Sequence, residues 1–101
     1  MILERAQIDL VPGSEQEFES ALDRARAVLE EARGFRSLRV ARGIENPSRY
    51  LLLIEWETIE DHMVGFRESD LFVRWRQLIG PYFAAPPLVE HFAEHFAVEG
   101  G

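Results

Sequence analysis

A chain of 101 residues, 47% hydrophobic and 29% charged, has the composition of one globular domain with a modest core, which excludes disorder. Eleven basic residues, all of them arginine, face eighteen acidic ones for a formal charge of −7. With no basic run or basic face interleaved with aromatics, nucleic acid and anionic membrane surfaces are excluded as partners. The absence of cysteine removes disulfides, thiolate nucleophiles and Cys-ligated metal centres.

The N-terminal Met1, Ile2, Leu3, Glu4, Arg5 is charged at once and lacks the basic and apolar regions of a signal peptide. No segment reaches the ~20 apolar residues of a membrane helix, so a cytoplasmic location is expected. Residues 2–11 then alternate, with Ile2, Ala6, Ile8 and Leu10 on one face and Leu3, Arg5, Gln7 and Asp9 on the other. This is a strand with a core face and a partly polar face, ended by Pro12 and Gly13.

Ser14 and Glu17 form a capping-box pattern, and Phe18, Ala21, Leu22, Ala25, Val28, Leu29 and Ala32 follow at helical spacing. The pattern predicts a helix over about 15–33 with Gly34 as its left-handed terminator. Strand alternation resumes from Phe35 to Gly43, and Glu45 to Arg49 carries turn chemistry around Pro47. The next strand contains Tyr50 to Ile54, an unbroken apolar run that marks it as central in the sheet, and a short loop makes the two strands an antiparallel hairpin.

Charge returns at Glu55 and Glu57 around Trp56, and Thr58 with Asp61 has the form of a helix N-cap. Ile59, His62, Met63 and Phe66 share one helical face. Leu71, Phe72, Trp75, Leu78, Ile79 and Tyr82 share another, which predicts two short helices bent at Ser69 and ended near Gly80 and Pro81. After Pro86 and Pro87, residues 88–98 alternate as a last strand, with Leu88, Phe92 and Phe96 opposite His91, Ala93 and His95.

The order strand, helix, strand, strand, helix pair, strand is the α+β ferredoxin-like arrangement (βαββαβ), an antiparallel sheet with both crossovers on one face. One domain is expected over 1–98, with a flexible tail at 99–101. The uncovered face of the sheet carries apolar side chains, so a homodimer with the two sheets face to face is expected.

The stretch Pro47 to His62, then Phe66 to Ser69, Trp75 with Arg76, and Pro87 to His91 resemble the antibiotic biosynthesis monooxygenase family over about residues 2–97. The resemblance implies the dimeric α/β-barrel form of this fold. It also implies activities ranging from cofactor-independent oxygenation of polycyclic phenols to haem degradation. In the haem degraders an Asn lies on the first strand and a haem-ligating His about ten residues past the strand Trp. Here Gln7 and Phe66 stand in those places, with His62 a turn earlier.

Two residues carry the candidate chemistry. His62 has a side chain that titrates near neutrality and could take a phenolic proton to give the anion that reacts with oxygen. It could equally be structural, bonded to the first-turn backbone or to Glu57. Trp56 is either a core aromatic or a cleft wall whose indole N–H orients a substrate oxygen.

Phe66, Phe72 and Trp75 would wall an aromatic pocket, with Tyr82 adding a hydroxyl and His91 projecting toward the cleft. His91 and His95, about 13 Å apart along a strand, do not make a metal site. Without a Gly-rich dinucleotide or phosphate loop no nucleotide cofactor is expected, and none of another kind is called for. The first reading is a cofactor-independent oxygenase acting on a small aromatic or quinol-like molecule. The alternatives are a non-catalytic dimeric ligand-binding or stress-associated module, and a haem-binding or haem-degrading protein. A pocket reached by His62 favours the enzyme; a cleft plugged by Phe66 and Trp75 favours binding alone.

Overall fold

The computed structural model describes residues 1–101. Its strands are β1 (Ile2–Asp9), β2 (Phe35–Arg42), β3 (Arg49–Trp56) and β4 (Leu88–Ala93), and its α-helices are α1 (Glu15–Glu30) and α2 (Asp70–Ile79). A π-helical segment, Asp61–Phe66, precedes α2, and a 3-10 turn, Gly80–Tyr82, follows it. The strands pair antiparallel in the order β2-β3-β1-β4, the ferredoxin-like α+β topology. The apolar run of β3 is central, between β2 and β1.

Strand alternation sends every second residue to the helix side. There Ala6, Ile8, Leu10, Tyr50, Leu52, Ile54 and Trp56 are buried against the α1 stripe Phe18, Ala21, Leu22, Ala25, Val28 and Leu29. Each large apolar side chain so enclosed contributes about 1.5–3 kcal/mol. From α2 come Trp75 and Ile79, with Leu71, Phe72, Leu78 and Tyr82 half-buried around them.

Three local expectations are corrected. Ser14 does not cap α1, because its hydroxyl donates to the Val11 carbonyl at 2.6 Å while the Glu15 carboxylate takes the Gly13 N–H. The helix ends at Glu30, yet Gly34 does adopt φ 82°, and a Cβ there would lie 2.1 Å from Asp61 Oδ2. Finally, β4 stops at Ala93, so His95, Phe96 and Val98 lie beyond the sheet.

The other face of the sheet is uncovered, and it is mixed rather than apolar. Leu3, Leu51, Leu53 and Phe92 alternate there with Arg5, Gln7, Arg39, Glu55 and Glu90, and an Arg5–Glu90 pair at 3.2 Å bridges β1 to β4. No helix of the chain is long and apolar enough to cross a membrane.

Candidate functional site

Three elements bring the site together. Register sets Glu4 of β1 directly beside His91 of β4, with Ile54 of β3 on its other side, and all three point toward the helices. From above, His62 descends out of the π-helical segment. Its start is capped as the Thr58–Asp61 pattern predicts, the Thr58 hydroxyl accepting the Asp61 N–H at 3.1 Å. The next turn then widens, with the Arg67 N–H bonded to the His62 carbonyl five residues back at 2.9 Å. The extra residue in that turn aims His62 and Phe66 at the sheet and leaves Ile59 and Met63 exposed. Such π-turns are characteristic of functional positions.

The result is a buried polar chain. Trp56 Nε1 donates to Glu4 Oε1 at 2.9 Å, His62 Nε2 lies 3.2 Å from the same oxygen, and His62 Nδ1 lies 2.8 Å from His91 Nε2. Glu4 is 5% and His62 3% exposed. His62 also stacks on Trp56 at 5.1 Å between ring centroids, and Phe66 closes over both.

Burial governs the protonation of this chain. Desolvation pushes the Glu4 carboxyl up to about 7, against the Trp56 hydrogen bond and the nearby Arg67 charge, which pull it down. Desolvation, with His91 and Arg67 beside it, pushes His62 down to about 4, and burial lowers His91 as well. At neutral pH His62 is therefore uncharged, and Glu4 is the group poised to gain or lose a proton. A neutral imidazole between two partners donates to one and accepts from the other. When Glu4 is ionised, Nε2–H faces it and Nδ1 accepts from His91; when Glu4 is protonated, its hydroxyl faces Nε2 and Nδ1–H faces His91. Gain of a proton at Glu4 thus shifts a proton toward half-exposed His91 at the sheet edge.

The pair opens onto a cavity of about 220 Å³ between the sheet and α2. Glu4 and His62 form its polar end, Phe66, Phe72, Trp75 and Ile79 its apolar wall, and Arg67 and Arg76 are also on its surface. Of the residues singled out in the sequence, His62, Phe66, Phe72 and Trp75 line it. Trp56, Tyr82 and His91 do not: Trp56 lies wholly buried beneath with its N–H held by Glu4, and His91 sits behind His62. Trp56 is thus a donor to Glu4 rather than to a bound molecule.

Glu4 is not among the candidates that motif or spacing singles out, although it falls in phase with Ile2, Ala6 and Ile8. A carboxylate at a core-phase position of a strand is the signal that could have found it.

Comparison with known proteins places this architecture. The sequence profile of the antibiotic biosynthesis monooxygenases matches residues 1–78. The chain belongs to the antibiotic biosynthesis monooxygenase family. It is 37% identical over 94 residues to the uncharacterized protein YczJ of Bacillus subtilis, covering 93% of this chain and 99% of that one. A Bordetella bronchiseptica structure, provisionally assigned to antibiotic biosynthesis monooxygenases, superposes with a TM-score of 0.92 at 43% identity, covering 94% and 97% of the two chains. SnoaB of Streptomyces nogalater, a cofactor-independent oxygenase, shares the fold with a TM-score of 0.81 at 14% identity, over 98% of this chain and 97% of that one. The chain is thus a monooxygenase-family domain with a buried Glu–His pair opening on an apolar cavity.

Proposed function

We propose that this protein is a cofactor-independent oxygenase of small phenols or quinols, with Glu4 and His62 as its proton-accepting pair. The carrying observation is that pair, buried yet exposed to an apolar cavity. A carboxylate raised to about 7 is well matched to removing a phenolic proton near neutral pH, and His62 hands the charge change on toward His91. The electron-rich anion then reacts with oxygen. One oxygen atom replaces the ring hydrogen as a quinone carbonyl and the other leaves as water, so phenol plus O₂ balances quinone plus water.

Size supports a bicyclic substrate. A cavity of 150 Å³ accommodates benzene, and about 220 Å³ leaves room for a second fused ring. Phe66, Phe72 and Trp75 would hold its faces. His62 has both ring nitrogens engaged, by Glu4 and His91, which speaks for this reading over haem ligation. The open pocket reached by His62 speaks for it over a binding module. The protein would act as a homodimer joined through the face carrying Leu3, Leu51, Leu53 and Phe92.

The test is oxygen uptake by chelator-treated protein with 1,5-dihydroxynaphthalene, followed as formation of the corresponding hydroxynaphthoquinone. Glu4→Gln and His62→Asn should each lower kcat by about 100-fold. Rates equal to the parent in both variants would remove the pair from the chemistry.

A further inference from the structure

We infer that the cavity is built for an aromatic ligand bearing a carboxylate, whose charge is taken at the rim by Arg67 and Arg76. The inference rests on reading the cavity as a substrate pocket, and it names the class of molecule that enters.

Six of the eleven arginines are paired with carboxylates: Arg5, Arg26, Arg36, Arg42, Arg49 and Arg74. In a chain of charge −7 carboxylate partners are plentiful. Arg67 and Arg76 nonetheless have none, and both stand on the cavity surface. The only side-chain partner of Arg67 is the Met63 sulfur at 4.0 Å, a weak acceptor. An exposed arginine without a partner is common on any surface, and Arg24, Arg33 and Arg39 are of that kind. Two features separate Arg67 and Arg76 from them.

The first is positioning. Both guanidinium groups lie over the ring of Phe72, at 5.5 and 5.8 Å from its centroid, and Arg76 also lies over Phe83 at 5.9 Å. A guanidinium stacked on a ring is held in orientation while its N–H edges stay free for a carboxylate. Phe72 and Phe83 are themselves cavity wall, so the cations are fixed where the apolar surface meets water.

The second is polarity along the cavity. Its only carboxylate, Glu4, is buried and already engaged by Trp56 and His62, whereas both of its cations are exposed. A molecule with a hydroxyl at one end and a carboxylate at the other matches that order, the hydroxyl toward Glu4 and His62 and the carboxylate toward the arginines. Neutral phenols would fill the same wall and lack the rim contact.

Anaerobic titration calorimetry of 6-hydroxy-2-naphthoate, whose hydroxyl and carboxylate stand at opposite ends of the ring system, against 2-naphthol tests this without turnover. The acid should bind at least tenfold tighter, and raising the salt from low to high concentration should erode only the acid's advantage. Arg76→Gln and Arg67→Gln should each weaken the acid about fivefold and leave naphthol binding as it was, while Arg76→Lys, which keeps the charge and loses the stacked fork, should weaken the acid by less than Arg76→Gln does. Equal binding of the two compounds, no binding of the acid, or an acid affinity untouched in both Gln variants would overturn the inference. If the acid is preferred but oxygen is not consumed, the oxygenase reading fails and the anion subsite stands. If both compounds are consumed without preference in binding, the subsite fails and the oxygenase reading stands.

Discussion

Replacing Glu4 by Gln should tilt the pH dependence of stability in a way the parent protein conceals. In the unfolded chain at pH 5.5 the carboxylate is ionised and the imidazole protonated; folding raises Glu4 from 4.5 to about 7 and lowers His62 from 6.5 to about 4. The folded pair holds the same single proton, moved from His62 to Glu4. A raised Glu4 contributes stability that is full below pH 4.5 and is lost as pH climbs through 7. A lowered His62 does the opposite, and its contribution is lost as pH falls from 6.5 toward 4. Over pH 4.5–6.5 each amounts to about 2 kcal/mol, from 1.36 kcal/mol per pH unit of displaced titration.

In the parent the two slopes cancel, leaving a rise with pH from the groups that folding lowers, His91, Asp9 and Glu15. In Glu4→Gln the His62 slope is uncovered, and stability should rise by about 2 kcal/mol more than in the parent between pH 4.5 and 6.5. His62→Asn should tilt the other way by the same amount. Urea unfolding followed by far-UV circular dichroism, at one protein concentration so that any association is constant, measures all three. Parallel profiles for the parent and both variants would refute the proton exchange within the pair.

Turnover should depend on the same carboxylate: kcat/KM for a phenolic substrate should rise with pH through about 7. Because the Trp56 N–H lowers the Glu4 pKa, Trp56→Phe should move that limb to higher pH; a limb that stays put would deny the contact a role. Gly34→Ala should destabilise by about 2 kcal/mol or more in chemical denaturation, since φ 82° and the Asp61 carboxylate 2.1 Å from a new Cβ both oppose it. Stability within 0.5 kcal/mol or so of the parent would contradict that packing. Leu53→Asp on the open sheet face should convert a dimer to monomer in sedimentation velocity, and a monomeric parent would dispose of the dimer outright.

Local pattern alone carried most of the architecture. The seven-residue stripe from Phe18 to Ala32 is buried in full, and the apolar run of β3 is central, because helix and strand periods are properties of neighbouring residues. His62, Phe66, Phe72 and Trp75 were also legible, since aromatic spacing on a helical face needs no knowledge of what lies opposite. Where β4 ends was less so, because the alternation continues to Val98 although pairing with β1 stops at Ala93.

The chemistry of the site was decided by tertiary structure. Positions 59, 62, 63 and 66 fit an ordinary helix, and only the bond skipping five residues divides them into two that face the sheet and two that face water. Glu4 is one carboxylate in an alternating strand, which by composition could sit at a wet strand end. It becomes an acid with a pKa of about 7 because the fold buries it, beside His91 in the β1–β4 register and under His62, and that burial outweighs the Trp56 hydrogen bond that pulls the other way. Desolvation comes from what surrounds a residue in space, and for Glu4 those surroundings are contributed by positions 52 to 87 residues away in the chain.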